Sequence, residues 1–157
     1  MPGLVPTKSS SPNLTPFQVS GGGLIRHNFQ IDETLGVIIS DDERYLLLGL
    51  ESIQRHREAL KNYIKENPFF EHSYDPVEVN DVPKVVKRMS QASVNSGVGP
   101  MAAVAGVIAD LAAEAMVEAG AKVAVIENGG EIIAFSDRTL KVAVGAGTNP
   151  LSNMVGF

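Results

Sequence analysis

Two acidic residues flank a short glycine turn in the stretch "IENGGEIIAF", residues 126–135. Apolar runs joined by Asn-Gly are typical of a β-hairpin, in which Asn128 and Gly129 would take the positive φ angles of the turn. Side chains of paired strands face each other beside such a turn, and opposed carboxylates at Glu127 and Glu131 would need solvent, a donor or a cation between them. From this spacing alone, a solvated hairpin tip is favoured over a binding site.

A second set of candidate residues lies in "PMAAVAGVIADLAAEAMVEAG", residues 100–120. Pro100 at a first turn and Gly120 at the end predict a helix. Its many small side chains indicate that a sheet, another helix or a ligand packs very close, and packing on a sheet is the favoured alternative. Asp110 follows Gly106 by four residues on the same helix face, so a ligand lying on the bare glycine backbone would meet a carboxylate one turn later.

The other candidates are weaker. His27, beside Arg26, is a candidate for an anion or catalytic contact, although a structural role is favoured. His56 is interpreted as a surface residue, and the three histidines are too far apart for a local metal pair. In "VGAGTNP", residues 144–150, two glycines could approach a phosphate. The third glycine and the helix of a dinucleotide fingerprint are absent, so a strand end and loop is favoured there.

Composition narrows the possible partners. The 157 residues are 44% hydrophobic, carry a net charge of −5 and include no cysteine. The acidic balance argues against a general nucleic-acid or anionic-membrane binder, so a small ligand or a protein partner is expected. With no signal peptide and no segment approaching the roughly 20 apolar residues of a membrane span, a cytoplasmic protein is expected.

The pattern of elements predicts an α+β fold, an antiparallel sheet packed with long helices. Residues 1–23, rich in Pro, Ser and Gly, are expected to be a flexible leader, followed by one domain over 24–157. Two strands are predicted within 26–40, joined near residues 33–36. Ser40 and Glu43 have the spacing of a capping box, which predicts a helix that ends at Pro68.

Further along the chain, an irregular segment precedes a predicted helix over 83–93. After the small-residue helix, three consecutive strands are predicted at Lys122–Glu127, Glu131–Phe135 and Leu140–Val144.

The motifs "RHNFQI", "DDERY", "NPFF" and "VGPMAAVAGVIADLAAEAMVEAGAKVAVIENGGEIIAF" together resemble the ApbE-like superfamily. They are most similar to a prokaryotic cytoplasmic branch to which no activity is assigned. The best understood members are magnesium-dependent transferases that bind FAD and move FMN onto a threonine hydroxyl. The resemblance implies FAD or FMN with Mg²⁺ as cofactor. It also implies a pocket lined by Gly106, Asp110, Asn128, Gly129, Gly130 and Glu131.

Two departures from that pattern open alternatives. Ala105 stands where the transferases carry a lysine before the glycine, and the chain resembles only the N-terminal and central part of such proteins. One expectation is a protein that binds a flavin or nucleotide phosphate and becomes an FMN transferase when another polypeptide or a homo-oligomer supplies the missing C-terminal part. The alternative is a non-catalytic binding or assembly module on the same fold.

Overall fold

The computed structural model describes residues 23–32 and 34–142. Contacts divide the chain into two units. The first comprises Met1–Gly21 and Thr139–Phe157, of which only residues 139–142 are described, without helix or strand. The second, Gly22–Arg138, carries every described element. Residues 1–22 of the expected leader and the "VGAGTNP" loop lie outside the described residues.

The second unit is an α+β domain, as predicted. Its elements in chain order are β1 (Ile25–Ile31), β2 (Thr34–Ser40), α1 (Glu43–Glu66), α2 (Pro68–His72), α3 (Lys84–Ser96), a 3₁₀ turn (Pro100–Ala103), α4 (Val104–Glu118), β3 (Val123–Asn128) and β4 (Glu131–Ser136). The strands form one antiparallel sheet in the order β1-β2-β3-β4. The sheet therefore consists of two hairpins joined through β2 and β3.

The small residues of α4 bring this helix close to the sheet. The helix packs against β3, β4 and α1, and Ala109, Ala112 and Ala113 are completely buried. Ile38 and Ile126, opposite each other on β2 and β3, belong to the same core as these alanines. Tight packing of helix on sheet, the favoured interpretation of the small-residue pattern, is confirmed.

The opposite face of the sheet is apolar as well. Val37, Ile39, Val123 and Val125 alternate with the residues of the helical core and are at most 2% exposed. The two central strands are therefore buried on both faces, which explains their nearly continuous apolar sequence.

The start of α1 differs from the prediction. Asp42, and not Ser40, is the N-cap, and its side chain accepts a hydrogen bond from the Arg44 amide. Ser40 is the last residue of β2 and is fully buried, and its hydroxyl donates to the Val123 carbonyl at 2.7 Å. The strand continues to Ser40 because the β2–β3 pairing extends that far, so the capping-box prediction is wrong.

Three further predictions need correction. The first hairpin turns before Thr34 rather than at residues 33–36, since Thr34–Gly36 already belong to β2. The segment expected to be irregular begins with the short helix α2. The predicted third strand after β4 is absent over residues 140–142, and its remaining residues, 143–144, are outside the described part of the chain.

One described helical stretch, Pro100–Glu118, is long and apolar enough to cross a membrane by length and composition. It has 19 residues and a mean hydropathy of 1.6, so the expectation that no segment approaches such a span is wrong. The indication is weak, because this stretch contains α4 and packs into the core of the domain.

Candidate functional site

The turn between β3 and β4 is formed by Gly129 and Gly130, with φ angles of 61° and 92°. The prediction that Asn128 takes a positive φ angle is therefore wrong, since Asn128 is the last residue of β3 and pairs with Glu131. Glu127 accepts a hydrogen bond from the Gly130 amide through Oε1 at 2.9 Å. Glu127 pairs with Ile132 across the strands, so the expected opposition of two carboxylates does not occur.

Asn128 attaches this turn to α4. Its side chain is only 4% exposed, and Nδ2 donates to the Ala105 carbonyl at 2.9 Å. A buried hydrogen bond of this kind holds the turn more firmly than a solvent-exposed hydrogen bond would. A Cβ atom added to Gly129 would lie 3.7 Å from the Ala105 Cβ, so the turn rests on the second residue of the helix.

Glu131 lies directly against Gly106. A Cβ atom at position 106 would collide with Glu131 Oε2, so only glycine leaves room for the carboxylate in this position. Within the described residues, the Glu131 side chain makes no hydrogen bond or ion pair, and it is exposed. The corner between the turn and α4 thus presents a carboxylate with unused acceptor positions. We call Gly106, Asn128, Gly129, Gly130 and Glu131 the turn–helix corner.

Asp110, the remaining predicted site residue, is occupied by a different contact. Arg88 on α3 donates to Asp110 Oδ2 at 2.6 Å and to Glu114 Oε1 at 2.7 Å. Lys84 donates to Glu114 Oε2 at 2.6 Å. Lys84 and then Arg88 hold the pKa of Glu114 below its usual value. Asp110 is thus part of an ion-pair network between α3 and α4.

The sequence analysis does not predict this ion-pair network, although the spacing of the charged residues on each helix is compatible with it. Lys84 and Arg88 are four residues apart, as are Asp110 and Glu114, so each pair lies on one helix face. His56 is half-buried rather than a surface residue, and its pKa is lowered by burial and by Arg55, Lys84 and Arg88.

His27 and the acidic residues give no support to a reactive centre or a metal site within the described residues. His27 lies on β1, which is separated from β3 by β2, so the structure does not bring it to the corner. The described residues contain no group of three or more His, Asp or Glu side chains that could hold a metal ion. No residue is therefore assigned as a metal ligand.

Comparison with known proteins identifies the family. The family model described as "AbpE bacteria" matches residues 22–157. The chain belongs to this family. It is also similar to proteins named "UPF0280 protein" from archaea. That of Methanosarcina acetivorans is 43% identical over 131 residues, covering 83% of this chain and 52% of the relative. The Archaeoglobus fulgidus protein is 43% identical over 119 residues, covering 76% and 51%.

These relatives overturn the resemblance inferred from the sequence motifs. Neither the family description nor the relatives' names refer to a flavin transferase, so the assignment to the ApbE-like superfamily is wrong. The chain spans about half the length of the curated relatives it matches.

Proposed function

We propose that this domain binds a small molecule of the flavin or nucleotide class at the turn–helix corner. The observation that carries the proposal is the Glu131 carboxylate, which lies on the bare backbone of Gly106 and has no partner among the described residues. An ionised carboxylate accepts strong hydrogen bonds from hydroxyl and N–H groups. Ribose, ribityl and flavin-imide groups supply such donors.

The two glycines of the turn support this proposal because they carry no side chain over the corner. A Cβ atom added to Gly130 would meet nothing within 4 Å, so a flat ring or sugar would find free space beside the backbone. Glu127 and Glu131 would repel the phosphates of such a ligand. We therefore expect Mg²⁺ bound to the phosphates to strengthen binding.

Thermal and chemical denaturation of the chain with FMN, FAD or ADP, each with and without Mg²⁺, tests this function. A ligand at 100 times its dissociation constant adds about 2.7 kcal/mol to the free energy of unfolding. We expect Glu131→Gln and Gly106→Ala to lose this stabilisation, because the first removes the charged acceptor and the second displaces it.

Glu118→Gln is the matched control, since Glu118 is an exposed residue in the last turn of the same helix. It should retain the full ligand effect. If none of the ligands stabilises the wild-type chain, or if Glu131→Gln and Gly106→Ala respond as strongly as the control, the corner is not a site for these ligands.

A second candidate function, a non-catalytic assembly module, is favoured by the surface of β4. Ile132 and Phe135 on this strand are 37% and 45% exposed, and β4 is at one end of the described sheet. In this proposal β4 pairs with a second copy or with a polypeptide equivalent to the rest of the relatives' length.

Mixing the chain with the unmatched portion of the Methanosarcina acetivorans relative, followed by size-exclusion chromatography with light scattering, tests the assembly function. A complex that Phe135→Asp abolishes would support it, as would a homo-oligomer that this change dissociates. A monomer under both conditions would contradict it.

We propose a cytoplasmic location for either function. The absence of cysteine from the sequence is compatible with a reducing compartment. Fractionation of cells that produce the chain would test this location, and recovery with the membrane fraction would contradict it.

A further inference from the structure

Asn128 is followed directly by Gly129 in the turn between β3 and β4. Asparagine before glycine is prone to spontaneous deamidation, because glycine has no side chain to keep its amide away from the asparagine side chain. In this reaction the Gly129 nitrogen loses its proton to water and forms a bond to Cγ of Asn128. The bond from Cγ to Nδ2 breaks, and Nδ2 leaves as ammonia. Water then opens the cyclic imide at either of its carbonyl carbons, which leaves aspartate or isoaspartate in the chain.

The structure holds the leaving group of this reaction in place. Nδ2 of Asn128 donates to the Ala105 carbonyl at 2.9 Å, and the residue is only 4% exposed. To leave as ammonia, Nδ2 must lose this hydrogen bond and take up a proton from water, which burial excludes. The nucleophile is not restrained in the same way, since the Gly129 amide donates to no atom of the described residues. Protection of the amide therefore depends on the contact between the turn and α4.

Deamidation would prevent the turn from returning to its position on α4. An aspartate at position 128 carries an oxygen atom where Nδ2 donates, so an acceptor would face the Ala105 carbonyl oxygen. The new carboxylate would also lie opposite Glu131, with which position 128 pairs across the strands, and like charges at opposed positions are unfavourable. Isoaspartate adds a carbon atom to the main chain, which also disturbs the register of β3 and β4.

We propose that Asn128 is a deamidation site controlled by the contact between the turn and α4. While the turn rests on the helix, the amide is preserved. When the turn detaches, the amide is converted, and the turn does not reattach. The conversion is irreversible, requires water and no enzyme, and makes an already acidic chain more negative. It does not depend on the small-molecule binding proposed for the turn–helix corner.

Incubation at mildly alkaline pH, followed by proteolysis and mass spectrometry of the peptide that contains residue 128, tests the protection. We expect the amide to be lost about tenfold or more slowly in the folded chain than in the chain unfolded by guanidinium chloride. The reason is that the folded chain reacts only in the fraction of molecules in which the turn has opened locally. Equal rates in the folded and unfolded chains would overturn the proposal.

Ala105→Leu separates the effect of the turn contact from that of the fold as a whole. A Cβ atom at Gly129 would lie 3.7 Å from the Ala105 Cβ, so a larger side chain at position 105 competes with the turn for space, while leucine still favours the helix. The folded variant should deamidate several-fold faster than wild type. Ala119→Leu is the matched control, because Ala119 is exposed directly after the other end of α4, and it should react at the wild-type rate. If Ala105→Leu does not fold, as judged by circular dichroism, Ala105→Val replaces it. Equal rates in the folded variant and the control would show that the contact does not control the reaction.

Detachment of the turn after the reaction is tested on the deamidated wild-type chain itself, which ion exchange separates from unreacted chain by its additional negative charge. Hydrogen exchange followed by mass spectrometry should be faster in the turn and in β4 of the product than in the unreacted chain. Asn95→Asp makes the same change of charge at an exposed position of α3, and exchange in the turn and β4 should be unaltered by it. Unaltered exchange in the deamidated chain would show that the turn reattaches, and would overturn the irreversible detachment.

Discussion

At the scale of single residues, two helical glycines are surrounded very differently. A Cβ atom at Gly49 in α1 would collide with Ile38 Cδ1 and with Met116, both of which are completely buried. At Gly106 in α4 the collision is with the end of the exposed Glu131 side chain. A buried neighbour cannot move without disturbing the core, whereas an exposed carboxylate can rotate into solvent.

Gly49→Ala should therefore lower the free energy of unfolding, whereas Gly106→Ala should not. We expect Gly49→Ala to lower the free energy of unfolding by about 1–3 kcal/mol, the usual cost of overpacking a core. Gly106→Ala should leave it unchanged or raise it by up to about 1 kcal/mol, because alanine favours the helix. Urea denaturation of both variants measures this difference. Equal destabilisation would show that Glu131 is held as rigidly as the core.

The residues of the candidate site show how much of that site the sequence predicts. The pocket residues were predicted from the family resemblance, and all of them except Asp110 meet at the turn–helix corner. The local patterns alone, a two-residue turn and a small-residue helix surface, predict the turn and the close packing but not a binding site. Asp110 was assigned by its spacing from Gly106, which places it on the correct helix face but cannot show that Arg88 already binds it. Partners on other helices follow only from the tertiary packing.

At the scale of elements, Asp41 joins the start of β3 to the segment between β2 and α1. Its Oδ1 accepts hydrogen bonds from the Lys122 and Val123 amides at 3.2 and 3.1 Å. Partial burial would raise the Asp41 pKa. Hydrogen bonds from Val123, from its own amide, from Ser40 and from Lys122 outweigh this effect, so the pKa lies below its usual value of 3.8.

Asp41→Asn should destabilise the domain by about 1 kcal/mol at pH 7, where the ionised carboxylate stabilises the fold. A carboxyl group whose pKa is lowered by folding contributes stability above its unfolded pKa and loses it as the pH falls through the folded value. The difference between wild type and variant should therefore shrink below about pH 3.8. Urea denaturation between pH 7 and pH 3 measures it. A difference that does not change with pH would exclude the charge as its cause.

Some boundaries of the helices and strands are predictable from the sequence, and others are not. Helix α1 has its apolar period and ends before Pro68, and α3 ends at Gly97 in the left-handed conformation, so local patterns suffice for both. The prediction that Ser40 caps α1 is wrong because Ser40 is paired with Ala124 in the β2–β3 ladder. Long-range pairing of this kind leaves no trace in neighbouring residues.

At the scale of the whole molecule, the fold class was predictable and the family was not. Two strands, then long helices, then further strands, without a regular βαβ alternation, are sufficient to indicate α+β. The motifs around "VAG" and "NGGE" describe a close helix–turn contact, which the structure indeed contains. Such a contact has the same physical requirements in any protein, small residues and a tight turn, and so it cannot by itself identify a lineage or an activity.

The order of the strands determines how this domain can reach its native state. Each hairpin joins neighbours in the sequence, but β2 and β3 are linked by residues 83 positions apart, as in the bond between Ser40 and Val123. The chain must close a long loop, with its entropic cost, before the central pairing contributes any stability. The domain should consequently fold more slowly than a helical bundle of equal length, and stopped-flow refolding would measure that delay. While closure is incomplete, the apolar edges of β2 and β3 are open to pairing with other chains, so rapid refolding at high concentration favours aggregation.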